Sequence, residues 1–169
     1  MKLSSAMLPE LDQEMAKTRT TLERAPGEKF SWKPHEKSFS FMEMANHLAR
    51  LPGWGAATLT TESMDLDPES GGYVPPAPVD TPEEVLKVFD ESVAQFRTAL
   101  EAMADEEMMK PWTLHFGGNE IFSMPRVAVV RAMILNHILH HRGQLTVYLR
   151  LNDLPLPALY GPSADEEGM

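Results

Sequence analysis

Apolar residues recur at helical spacing in four stretches of the chain. From about Ser5 to Arg24, Leu8, Leu11, Met15, Thr18 and Leu22 share one stripe, with Asp12, Glu14, Lys17 and Glu23 off it, until Pro26-Gly27. A second helix is expected to open at Ser40, with Glu43 completing a capping box. It runs to about Thr60 through Met44, His47, Leu48, Leu51 and Trp54, and Pro52 predicts a kink or a restart inside it. The third opens on Thr81-Pro82-Glu83-Glu84 and carries Val85, Phe89, Val93, Phe96 and Leu100 to about Met103. The fourth runs from Pro125 to about Leu151.

Between these segments the pattern breaks down. Phe30 to Glu36 is irregular, and residues 65–80, with Gly71-Gly72 and Pro75-Pro76-Ala77-Pro78, read as a surface crossover. Lys110 to Phe122 reads as an extended strap turning at Gly117-Gly118. With strand signals nearly missing, the expectation is an all-α chain: a four-helix bundle with crossover connections. A length of 169 residues suits one domain, 1–169, whose acidic end from 160 to 169 is expected to fray.

Composition narrows the function classes. Fifteen Lys+Arg against 25 Asp+Glu leave a net charge of −10, which repels phosphate backbones and anionic lipid. Nucleic-acid and membrane partners are therefore disfavoured. Cysteine is absent, so neither a disulfide nor a thiolate nucleophile is available. Met1 to Leu22 carries charges throughout and has no apolar core of an export signal, and Val127 to Leu139 is too short to span a bilayer. The cytoplasm is the expected compartment.

The histidines carry the candidate chemistry. His137 and His141, four residues apart, project from one face of the fourth helix together with Val130, Ile134, Gln144 and Tyr148. Two imidazoles so placed can chelate one divalent metal, although the glutamate base of an H-E-x-x-H site is missing. His140 lies about 100° away on the wheel and is a poor third ligand. His47, on the apolar stripe of the second helix, is the natural third. The plain alternatives are a chance pair and a hydrogen-bonded core histidine. His35 and His115 suit surface or strap positions. Glu43 could accept from His47, but capping is its simpler role. Gln144 and Tyr148 could orient a substrate but read better as core packing, and Arg142 and Arg150 could hold an anion but read better as solvated or paired with surface acids. The twelve methionines read as core filler, and Trp32, Trp54 and Trp112 could line a pocket but read better as packing. Leu135 and Leu139, opposite His137, require cover from the tail (154–160) or a second subunit.

The segment Asn136-His137-Ile138-Leu139-His140-His141-Arg142-Gly143-Gln144-Leu145-Thr146-Val147-Tyr148-Leu149-Arg150 is specific, and the Leu159-Tyr160-Gly161-Pro162-Ser163 that follows is a weaker mark. With Trp32-Lys33-Pro34-His35-Glu36, Asn46-His47-Leu48 and Phe122-Ser123-Met124-Pro125-Arg126, it resembles the DinB/YfiT-like (damage-inducible) family over nearly the whole chain. That resemblance implies a four-helix bundle, frequently a homodimer, holding a divalent metal, nickel or zinc, through three histidines that fall on His47, His137 and His141. It also implies kinship with transferases and isomerases that use a low-molecular-weight thiol. The expected function is thus a metal-dependent enzyme: a thiol-dependent S-transferase or a hydrolase of a small-molecule substrate. No residue stands out as its general base. The competing expectation is a non-catalytic, metal-stabilised bundle that binds a ligand or partner in a stress response.

Overall fold

The computed structural model describes residues 2–167. Three long helices, α1 (Leu3–Leu22), α2 (Phe41–Thr60) and α3 (Pro82–Ala102), and a long helical run that closes the chain share one apolar core. A single turn, α4 (Asp105–Met108), follows α3. The closing run consists of α5 (Arg126–Val129), a π-helical stretch (Val130–Leu135) and α6 (Asn136–Leu151), joined without a break. Both α1 and α2 lie against α3 and α6. Leu11, Phe41, Leu48, Phe96, Ile138 and Leu145 are fully buried at their meeting faces. Each such side chain contributes about 1.5–3 kcal/mol by leaving water.

The helix starts follow local chemistry. Ser40 Oγ accepts from the Glu43 N–H at 3.2 Å and Glu43 Oε2 accepts from the Ser40 N–H at 2.7 Å, so both ends of the capping box are made. At α3 the Thr81 hydroxyl accepts from the Glu84 N–H, and Pro82 occupies the first turn. α2 runs through Pro52 as one helix rather than restarting. Its Gly55 leaves room for a side chain of α3: a Cβ there would lie 2.7 Å from the Phe96 ring.

An all-α chain is not what forms. Residues 111–125 make a hairpin, β2 (Pro111–Phe116) and β3 (Asn119–Pro125), and β1 (Ser63–Asp65) pairs parallel to β2, giving the order β1-β2-β3. The turn is Gly117-Gly118, both at positive φ, as a tight two-residue hairpin requires. Trp112 and Leu114 face inward at period two and form a small second core with Val129. β1 lies in the stretch expected to be loop. At three residues it shows no alternation of its own and is held by its partner strand and by the Asp65 carboxylate, which accepts from the Gly117 and Gly118 N–H groups. Arg126 joins this sheet to α2. Its guanidinium donates to the carbonyls of Thr58 and Thr61 at the open end of that helix.

Arg142 also departs from expectation. It is 2% exposed and donates to Glu14 Oε2 (2.7 Å), the Glu14 carbonyl (3.1 Å) and the Tyr160 hydroxyl (2.6 Å). Ile138, Arg142, Leu145 and Leu149 form a second buried face of α6, turned toward α1. α1 thus supplies much of the cover expected from the tail or a second subunit, while Leu154 and Leu156 of the tail join the core. Residues 160–167, expected to fray, are fastened by Tyr160 on Glu14, Glu166 on Arg24 and Asp165 on Arg150. Residues 168–169 lie outside the described part. No helix among the described residues is long and apolar enough to cross a membrane.

Candidate metal centre

α2 and α6 bring His47, His137 and His141 together, and one ring nitrogen of each lies within 4.8 Å of the other two. His47 Nε2 and His137 Nε2 are 3.3 Å apart. Ligands about 2.05 Å from a tetrahedral ion are separated by about 3.3 Å, so this edge already has the span such a site needs. The rings of His141 and His137 also have protein partners. His141 Nδ1 lies 2.7 Å from Gln144 Oε1. An amide oxygen only accepts, so Nδ1 holds the proton and Nε2 presents its lone pair. The Met133 carbonyl accepts from the His137 ring. Met133 belongs to the π-helical stretch, which ends at Leu135, so the wide turn lies directly before the first α6 ligand.

All three imidazoles are neutral near pH 7. Burial, together with the neighbouring His141 and His137, pushes the His47 pKa down to about 4. Burial also lowers His137 and His141, outweighing the opposing bonds to Met133 and Gln144. Neutral imidazole nitrogens are what a divalent ion requires, and the donor set fits one.

The surroundings are aromatic. The Phe39 ring lies 5.7 Å from that of His47 and 6.3 Å from that of His141, centroid to centroid. Its backbone is held by the Tyr148 hydroxyl, which donates to the Phe39 carbonyl at 2.9 Å, and Tyr148 stacks edge-on against Trp32 and Phe41. A cavity of about 380 Å³ opens beside His47 and His137. Phe39, Leu51, Trp54, Tyr73 and the prolines of the 73–78 strap line it, with Glu43 and Arg50 as its charged groups. Asn46 fastens the strap, donating to the Val79 carbonyl (2.8 Å) and accepting from the Val79 N–H (2.9 Å). A smaller cavity of about 70 Å³ lies on the far side of Trp54 and His137, backed by Trp112 and Phe122 of the sheet. The sheet therefore forms the rear wall of the site.

The other histidines stay outside the cluster. His140 is exposed, with its ring 5.0 Å from that of His141. His35 Nδ1 accepts from the Lys37 N–H in the loop before α2, and His115 lies on β2. Gln144 and Tyr148 are hydrogen-bonded at the site as well as packed. Asn46, Arg50 and Tyr73 were missed by sequence reasoning. For Arg50 a signal existed: Glu43, His47, Arg50 and Trp54 fall at helical spacing on one face of α2. For Tyr73 and the strap there was none, because a loop has no period.

A family model described as the DinB superfamily matches residues 10–145. The chain belongs to the DinB superfamily. Two solved structures of DinB-like proteins share its fold. One, from Bacillus cereus ATCC 10987, is 19% identical with a TM-score of 0.70, covering 92% of this chain and 97% of its own. The other, YjoA from Bacillus subtilis, is 18% identical with a TM-score of 0.67, covering 89% and 96%. Among curated proteins none matches the chain. The DinB match extends from α1 into α6 and so contains all three clustered histidines.

Proposed function

We propose that this DinB-superfamily chain is a metal-dependent enzyme in which His47, His137 and His141 hold one divalent ion, zinc or nickel. It transfers a low-molecular-weight thiol to a small electrophile, or hydrolyses a small-molecule substrate. The observation that carries this reading is the convergence of three neutral imidazoles, two of which, His47 and His137, line an open cavity. The ion would supply Lewis acidity toward a water or a thiol entering that cavity.

The protein's own contribution is orientation and exclusion. Gln144 and the Met133 carbonyl fix the rings of His141 and His137 so that their free nitrogens converge. Phe39, Trp54 and the proline strap limit water around the reacting groups. With no cysteine in the chain, any thiol must come from outside. The framework is a four-helix bundle carrying a small inserted sheet, working in the cytoplasm as a homodimer. Val147 and Leu151, a turn apart on α6 and 55% and 59% exposed, are the natural dimer contacts.

Elemental analysis of untagged protein purified without chelators tests the reading. Close to one zinc or nickel per chain is expected, lost in His137→Ala/His141→Ala. Wild-type protein that takes up neither ion on reconstitution would sink it. The exposed Val147–Leu151 patch also favours a second reading, a metal-stabilised stress-response protein that acts by binding a partner. Cobalt-substituted protein separates the two. A visible spectrum that shifts on adding azide marks an open site, as the enzyme requires, and an unchanged spectrum marks a closed one.

A further inference from the structure

Arg50 differs from every other arginine in the chain. Arg19, Arg24, Arg97, Arg126, Arg131, Arg142 and Arg150 each have a carboxylate within 4.0 Å, as an acidic protein readily provides. Arg50 has none among the described residues. Its one hydrogen bond there is from Nη2 to the Ala77 carbonyl, at 2.6 Å. That bond leaves most of its five N–H donors free while fixing the guanidinium against the strap. The position is the wall of the 380 Å³ cavity, one helical turn beyond His47.

The same wall carries the opposite charge at its other end. Glu43 lies seven residues before Arg50, about 10 Å along the helix axis. Hydrogen bonds from Ser40, backbone and side chain, hold its carboxyl below the ordinary range, so it stays ionised. His47 lies between the two, and the rest of the lining is aromatic, proline or aliphatic apart from Asn46 and His137. We infer that the cavity takes a small ligand with an aromatic or other apolar body and one anionic group, carboxylate or phosphate, which Arg50 binds through its free guanidinium edge. The Glu43 end repels that anion. The ligand is therefore oriented along α2, with its middle at His47 and His137. The inference rests on the proposed metal reading only for which part of the ligand reacts; the charge recognition stands on Arg50 and the cavity.

Calorimetric titration with 3-phenylpropionate and its neutral isostere 3-phenylpropionamide tests it, on both chelator-treated and zinc-loaded protein. The carboxylate should bind about tenfold tighter than the amide to both forms, the worth of one charge-assisted bidentate contact. Arg50→Gln, which keeps a donor for the Ala77 carbonyl, should erase the preference without lowering the melting temperature. Arg50→Lys should retain part of it. Three results overturn the inference: no binding of the carboxylate, equal affinities for the two probes, or a preference that survives in Arg50→Gln. A preference confined to zinc-loaded protein and indifferent to Arg50 would put the anion on the metal, and is the third of these. Zinc occupancy measured on the same samples reports on the metal reading separately. Protein that holds no zinc yet shows the Arg50-dependent preference would end that reading and leave this one standing.

Discussion

At the scale of single residues, the Arg142–Glu14 pair is where a substitution is felt most. Glu14 is 6% exposed and receives Arg142, the Tyr160 hydroxyl and Lys17. Arg142→Leu would leave that carboxylate nearly dry and without its main partner, so urea denaturation should show a loss of about 3–5 kcal/mol. Adding Glu14→Leu should recover part of the loss, since the stranded charge is then gone. Acid acts on the same group. Burial raises the Glu14 pKa, but the bonds from Tyr160, Arg142 and Lys17 outweigh it, and the folded value falls below the ordinary 4.5. The stability this gives is complete above that value and is lost as pH falls through the folded one. His47 acts in a higher window. Its pKa is about 4 folded against 6.5 unfolded, so the unfolded chain takes up the proton first. Metal-free protein should therefore lose stability as pH falls from 6.5 toward 4, and His47→Phe should flatten that slope in urea titrations across the window.

At the scale of elements, the strap between α2 and α3 depends on one side chain. Asn46 makes two hydrogen bonds to Val79, one in each direction. Asn46→Ala should free the strap while leaving α2 intact, and amide hydrogen exchange at Val79 should speed up well ahead of exchange in α2 or α3. The long helices were legible because Leu11, Leu48, Phe96 and Leu145 recur at a spacing that only a helix turns to one side. The histidine face was legible for the same reason. The sheet was not. Trp112, Leu114 and Phe116 do alternate with Thr113 and His115, but β1 is three residues of mixed polarity that gain their place only from β2. The buried role of Arg142 was hidden too, because its partners on α1 and in the tail are 128 and 18 residues away. A helical wheel assigns an arginine to water when it cannot see such partners.

At the scale of the whole molecule, the tail closes the structure. Tyr160 reaches Glu14, Glu166 reaches Arg24 just past α1, and Leu154 and Leu156 sit on the core, so α1 and the turn after it are bound to the segment that follows α6. A chain ending at residue 153 should melt well below the full-length protein, with the loss visible in thermal denaturation followed by circular dichroism. Removing 161–167 alone should cost less, since Tyr160 and its bonds remain. The stitching of α1 to the tail also sets an order of events during synthesis. α1 is made well before α6, with Glu14 in water, and the arginine that neutralises it is made 128 residues later. The tyrosine that completes the arrangement comes 18 residues after that. At about 5–20 residues per second the first helix waits several seconds for its partners. The nascent chain can thus pack α1 on α3 early, but it has to hold the Glu14 side of α1 without its buried partners until α6 and the Tyr160 segment have been made.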